Sequence, residues 1–210
     1  MATVTVIDCG AGNIQSVVNA FRRAGCPDAM VATNGDELAA QDPSHIVLPG
    51  VGAIGAMLTS LHERGLVDVL HRLVIVEKRP LLGICVGMQV LAEECTEFGA
   101  FAGLGWIPGT VRILPVREQG LPLPHVGWNE ISLRHKSPVL SGLGGEHFYF
   151  THSYAFSCAD EYIAATSEYG VDFVTSVCKD NIQAVQFHPE KSSAAGERLL
   201  SNFLAIGSPC

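Results

Sequence analysis

Two short stretches of this chain carry residue types that could do nucleophilic chemistry together. The first is Gly83-Ile84-Cys85-Val86-Gly87, reached by the apolar run Leu81–Ile84 and followed by a helix-compatible segment. A strand, a sharp turn and a helix, with the reactive side chain at the turn, make a nucleophile elbow, here carrying sulfur. Flanking glycines suit it, because side chains on either side of a strained turn would clash. A helix starting there directs free N–H groups and a positive dipole end at Sγ, which favours thiolate over thiol. Taken alone, the motif suits a small buried hydrophobe equally well, since that is the commonest role of a free cysteine. The second stretch, Gln183-Ala184-Val185-Gln186-Phe187-His188-Pro189-Glu190, tips the balance. An apolar strand ends in His-x-Glu, and residues two apart on a strand share a face. Glu190 can then orient His188, and His188 can take the proton of Cys85, in the chain order Cys, His, Glu.

Such a triad needs more than its three side chains. A free thiol titrates near ~8.5, so only a small fraction is thiolate at neutral pH, and His188 with the helix terminus must supply the rest. Attack on a carbonyl builds an oxyanion that wants two donors. The N–H of Val86, the residue after the nucleophile, is one. The other is expected from Pro49-Gly50-Val51-Gly52, where Gly50 and Gly52 let bare backbone approach a substrate, with the Val51 N–H as the donor. Each donor is worth roughly 10²–10³ in rate. Read alone, that loop is a tight turn between a strand and a helix. The same glycines would let a peptide there flip and present or withdraw its N–H. No His/Cys/Asp set has metal-ligand spacing, and Gly10-Ala11-Gly12 falls short of the dinucleotide fingerprint, so no cofactor is expected.

The elements that must position these residues follow from hydrophobic periodicity. Ala2–Ile7 alternates as a first strand, and Ile14, Val17, Val18, Phe21 and Ala24 repeat at helical spacing before Gly25. Met30–Ala32 and His45–Leu48 read as strands, and Asp36–Ala40, Ala56–Glu63 and Val67–Glu77 as helices, before the elbow strand. That alternation predicts a parallel, helix-covered sheet. From Gly103 onward Gly and Pro are frequent, and strands follow one another: Thr110–Leu114, Trp128–Leu133, Phe148–Thr151, Tyr162–Ser167, Phe173–Cys178 and Ile182–Phe187. Gly170-Val171-Asp172 and Asp180-Asn181 signal hairpins. Ala194–Leu204 closes the chain as a helix, capped by Ser192 or Ser193. The expected fold is a mixed α/β domain spanning residues 1–210, a mostly parallel central sheet with added antiparallel strands in its C-terminal half. Ligand crevices of open α/β sheets lie at the carboxyl ends of the strands, and Gly10–Gly12, Pro49–Gly52, Cys85 and His188 all fall there.

Composition narrows the function classes. Hydrophobic residues are 48% of the 210 against 16% charged, which describes a packed globular chain. A formal charge of −8 with no basic cluster argues against a nucleic-acid surface. The uncharged stretch Pro43–Leu61 is broken by Pro49, Gly50, Gly52 and Gly55, so it is not a membrane span. Seven scattered cysteines without a C-x-x-C pair or a signal peptide fit a reducing cytoplasm.

Three signatures together resemble the class I (triad) glutamine amidotransferases: Pro49-Gly50-Val51-Gly52, Gly83-Ile84-Cys85-Val86-Gly87-Met88-Gln89 and His188-Pro189-Glu190. Asp8–Ile14, Pro124–Asn129 and Tyr149–Tyr154 make the chain similar to one branch, whose ammonia serves a (β/α)8-barrel cyclase making imidazole glycerol phosphate and AICAR for histidine biosynthesis. The resemblance implies a flavodoxin-like fold and L-glutamine as substrate. It places Gln89, Glu97 and the backbone of Ser153-Tyr154 against the glutamine, and Asn13, His125, Trp128 and Lys191 at or near the docking face. Ile54 and Thr151 depart from the usual pattern at positions expected not to touch the chemistry. A glutaminase feeding another synthase, such as that of pyridoxal phosphate, stays open as the alternative. A non-catalytic scaffold relative, or a stress protein with a cysteine elbow, would fit less, because the distant His-x-Glu would then be idle.

Overall fold

The computed structural model describes residues 2–10 and 12–207; Ala11 of the first glycine turn and Cys210 lie outside them. The N-terminal half alternates as its periodicity predicts. β1 (Val4–Ile7), α1 (Ile14–Arg23), β2 (Met30–Ala32), α2 (Gly35–Gln41), β3 (His45–Gly50), α3 (Ile54–Glu63) and α4 (Leu66–Leu70) follow in turn. The last helix runs on as a π-helical turn, His71–Val76, into β4 (Leu81–Cys85) and α5 (Val86–Gln89). The half after the elbow is strand-rich: β5 (Glu94–Cys95), β6 (Phe101–Ala102), β7 (Thr110–Ile113), β8 (His125–Glu130), β9 (Ser132–Leu133), β10 (His147–His152) and β11 (Tyr154–Ser157). It ends with β12 (Ile163–Glu168), β13 (Asp172–Lys179), β14 (Ile182–Val185) and α6 (Ser193–Leu204).

Among the described residues, twelve strands make one sheet in the order β2-β1-β3-β4-β14-β13-β11-β7-β5-β6, with β12 and β9 joined alongside β13. The centre, β2 through β4 and β14, is parallel, whereas the pairings β14–β13, β13–β11 and β11–β7 are antiparallel. The two-residue Asp180–Asn181 turn between β13 and β14 has Asp180 at φ 52, as a primed hairpin turn requires. Strands buried on both faces carry the core: β1, β3, β4 and β14 are buried at every position. α1 packs on α6 through Phe21 and Phe203, ring centroids 6.1 Å apart.

Three expectations change. The helix after the elbow is a single turn of four residues, with Val90 as its C-cap. The segment Trp128–Leu133 is two strands, divided at the buried Ile131. Of these, β8 leaves the main sheet and pairs with β10 as a separate antiparallel ribbon, His152 opposite His125 and Tyr149 opposite Trp128. That ribbon covers the end of β14 through Phe148 stacked on Phe187 at 4.1 Å. Tyr154–Ser157, unmarked by alternation, is also a strand.

Glycine decides how closely β3 and the elbow approach. A Cβ on Gly87 would overlap the carbonyl oxygen of Leu48, and one on Gly50 would lie 2.8 Å from the Gly87 nitrogen. Both obstacles are backbone, although a Cβ on Gly50 would also meet the flexible end of Met57 at 2.5 Å. Replacing Gly87 by alanine is expected to cost about 3 kcal/mol or more. Gly65 has a left-handed φ of 62 but open space around it, so alanine there should cost only about 1–2 kcal/mol. Urea unfolding of the two variants tests the contrast: equal losses would mean that the β3–elbow contact relaxes around a Cβ at little cost.

Candidate active site

Cys85 is the last residue of β4 and sits at φ 55, ψ −114, a conformation that L side chains rarely adopt. The strain is held by its surroundings: Gly50 pairs opposite Cys85, and the side chain is buried. His188 reaches the same place from the far end of the chain because β14 lies parallel beside β4, with Val185 opposite Ile84. Beyond β14 the backbone is pinned. The His188 N–H donates to the Tyr149 carbonyl at 2.9 Å, and the His188 carbonyl accepts the Ser192 hydroxyl at 2.6 Å. Ser192 Oγ also accepts the N–H of Tyr149 at 3.0 Å. The hydroxyl expected to cap α6 therefore clamps His188 to β10, and α6 has no side-chain cap.

Glu190 meets His188 by a different route from the one its spacing suggests. The strand stops at Val185, and Pro189–Lys191 forms a three-ten turn that folds Glu190 back, with Oε1 2.8 Å from Nδ1. Both side chains are nearly buried, 2% and 7% exposed. A carboxylate can only accept, so Nδ1 carries the proton and Nε2 is left for other work. Among the described residues, Nε2 of His188 is one of three buried side-chain polar atoms without a hydrogen-bond partner. Burial, the largest influence, pushes the imidazole down, but the nearby Cys85 sulfur and the Glu190 carboxylate together outweigh it and raise its pKa to about 9. Burial instead holds the thiols of Cys9, Cys95 and Cys158 up at about 11.

The pocket beside these residues encloses about 170 Å³, below the usual range of drug-sized sites and suited to a small ligand. Val51, Gly52, Cys85, Val86, Gln89 and Glu97 line one part of it, and Thr151, His152, Ser153, Tyr154 and His188 the rest. The structure thus brings together the three triad positions, the two donor segments and the four positions matched to glutamine contacts, with Gly50 and Glu190 just behind the wall. Both N–H groups of Gln89 Nε2 are engaged, donating to the Tyr154 carbonyl at 3.0 Å and to Gln186 Oε1 at 2.8 Å, which leaves its own Oε1 for a ligand. Gln186 in turn donates to Cys85 Sγ at 3.6 Å. Sequence reasoning passed over Gln186, although a glutamine two residues before His188 in an apolar strand is a visible signal. It also passed over His152, and it set Thr151 aside, yet Thr151 lines the pocket.

Of the four positions matched to a docking face, three are exposed. Asn13 caps α1 by accepting the Ser16 N–H, Trp128 is 52% exposed, and Lys191 lies over the Tyr149 ring at 5.5 Å. His125 is not: it is buried, stacked on Tyr169 at 4.1 Å, with Nδ1 3.1 Å from His152 Nε2. Its side chain points inward because β8 alternates, so position 125 faces the core while 126 and 128 face out.

The raised His188 pKa makes a directional prediction. A folded value above the unfolded one, near ~6.5, contributes stability that is complete below the unfolded pKa. That contribution is lost as pH rises through about 9. Replacing Glu190 by glutamine removes part of the cause, so the His188 titration followed by NMR should move to lower pH. An unmoved or higher midpoint would show that Glu190 does not hold the imidazolium.

A family model described as glutamine amidotransferase class-I matches residues 5–206. The chain is 44% identical over 209 residues to the imidazole glycerol phosphate synthase subunit HisH of Geobacter metallireducens, covering 97% of this chain and 98% of that one. It is 40% identical over 204 residues to subunit HisH 1 of Campylobacter jejuni, covering 97% and 100%. PurLQS from Thermotoga maritima shares the fold at a TM-score of 0.74 and 15% identity, over 97% of this chain and 98% of that one. With that match and relatives of this identity along nearly its whole length, the chain belongs to the class-I glutamine amidotransferases, in the branch of the imidazole glycerol phosphate synthase HisH subunits.

Proposed function

We propose that this chain hydrolyses L-glutamine to glutamate and ammonia and passes the ammonia to a (β/α)8-barrel cyclase, which makes imidazole glycerol phosphate and AICAR in histidine biosynthesis. One observation carries the chemistry: Cys85 and His188 line a single small pocket, with Glu190 on the far nitrogen of the imidazole. Cys85 attacks the side-chain amide carbon, and His188 protonates the departing nitrogen as ammonia. Water, activated by the imidazole, then cleaves the glutamyl thioester and frees Cys85. Val86 begins α5, so its N–H is among those with no intrahelical partner and can serve the oxyanion. Val51 supplies the second donor. Gly50 is locked in β3, whereas Gly52 has a φ of 84 and open space, so any reorientation of this loop is confined to Val51–Gly52.

Ammonia released to bulk water would be protonated and lose its nucleophilic lone pair, which is the physical reason for a docked partner. Val126 and Trp128 offer an exposed apolar surface on β8, 56% and 52% exposed; Lys191, over the Tyr149 ring that meets Trp128, and the exposed Asn13 would add polar contacts to the partner. The sheet that runs unbroken through both halves supports one working domain over residues 1–210. Among the described residues no helix is long and apolar enough to cross a membrane; a cytoplasmic setting fits the free cysteines of this chain.

Mixing the chain with a cyclase subunit and its nucleotide substrate should stimulate glutamate release well above the lone chain. Absence of stimulation would remove the partner while leaving glutaminase chemistry standing. Replacing Cys85 by alanine should abolish glutamate release yet leave cyclisation supported by added ammonium salt. Replacing Trp128 by alanine should weaken the complex by about 2 kcal/mol, read by titration calorimetry; an unchanged affinity would move the docking face elsewhere.

A further inference from the structure

The first turn of α3 is held by residues from a distant hairpin. The residue before it, Ala53, offers no side-chain cap. Glu97 supplies one instead: its Oε2 accepts the Ile54 N–H at 2.6 Å. One residue on, Gly55 packs against the ring of Phe101, where a Cβ would lie 2.7 Å from the nearest ring carbon. Glu97 and Phe101 flank the turn between β5 and β6, so this hairpin grips the start of α3 from two sides.

What that grip secures is the segment just before it. Val51 is 37% exposed, and Gly52 has nothing within 4 Å of where a side chain would stand. Beyond the approach of Val51 to Gly12 the loop has little packing of its own, so its position depends mainly on its two ends: β3 on one side and the capped Ile54 on the other. Glu97 also lines the pocket, and among the described residues its Oε1 takes no hydrogen bond. A carboxylate has acceptor sites to spare after one N–H, and the one cation on glutamine is its α-ammonium.

We infer that Glu97 is a positioning residue for the Val51–Gly52 loop as well as a glutamine contact. Oε2 caps Ile54 and fixes the loop, Oε1 receives the substrate ammonium, and one carboxylate ties recognition of the amino-acid end to placement of the oxyanion donor. This inference rests on the glutaminase reading. It means that binding at the non-reacting end of the substrate acts on the chemical step as well as on affinity.

The test uses the full chain in complex with the cyclase, and two substrates: glutamine and 4-carbamoylbutanoate, which lacks the α-amino group. Glu97→Gln keeps an oxygen for the Ile54 N–H but loses the charge. Its KM for glutamine should rise at least about tenfold, kcat should stay within about threefold, and the preference over the deamino analogue should vanish. Glu97→Leu loses both functions, so kcat should fall by about 10²-fold as well, the scale of one lost oxyanion donor. Phe101→Ala, away from the substrate, should lower kcat with little change in KM, and near-UV circular dichroism checks that each variant is folded. Equal kcat values for the Gln and Leu variants, or a wild-type kcat in Phe101→Ala, would overturn the inference while leaving glutamine hydrolysis in place. A wild-type complex that releases no glutamate would overturn the glutaminase reading and this inference with it.

Discussion

Everything at the site depends on the parallel pairing of β14 with β4. The two strands come from distant parts of the chain, and their register sets Val185 beside Ile84. A slip of one residue would turn every side chain of β14 to the other face of the sheet and carry the His188 backbone along the strand direction by about 3.3 Å. Both strands are buried along their length, so such a slip would also misplace core residues. The register that gives the better-packed core is therefore the register that brings imidazole to sulfur.

Around that pairing the molecule keeps polar groups that a core would otherwise exclude, and satisfies nearly all of them. Gln89, Gln186, His152 and Ser192 are buried, and each has its partners. Tyr154 illustrates the economy: its carbonyl accepts both the Gln89 amide and the His152 Nδ1–H, so the strand edge that lines the pocket is held by two donors. Against this background the orphaned Nε2 of His188 and Oε2 of Glu190 stand out. A buried polar atom without a partner costs free energy, and both lie in the pair that faces the pocket. With the left-handed backbone of Cys85, they are the local expense of a site kept ready for a ligand.

Electrostatics at the pair works against burial. A buried imidazole ordinarily loses its proton more easily, as His152 does, pushed down to about 4. His188, also buried, goes the other way because Cys85 and Glu190 both favour its charged form. Two histidines on the walls of one pocket are thus set to opposite protonation states, one by burial and the other by its neighbours.

The sequence alone singled out the candidate chemistry-bearing positions and determined the N-terminal alternation, because both rest on local signals. The glycines about Cys85, the His-Pro-Glu run, and helical periodicity in Ile14–Ala24 are each legible within a dozen residues. The short strand Met30–Ala32 was readable to the residue, and the mixed sheet followed from the change in grammar after Gly103. Tertiary structure decided the rest. That β8 and β10 leave the main sheet, that His125 turns inward, that Ser192 clamps His188 in place of capping α6, and that Glu190 arrives on a three-ten turn all depend on contacts between segments far apart in the chain. Glu97 is the clearest case. In sequence the resemblance marks its carboxylate only as a glutamine contact, and only the folded chain sets it on the N–H of Ile54, because no periodicity encodes which distant helix lacks a cap.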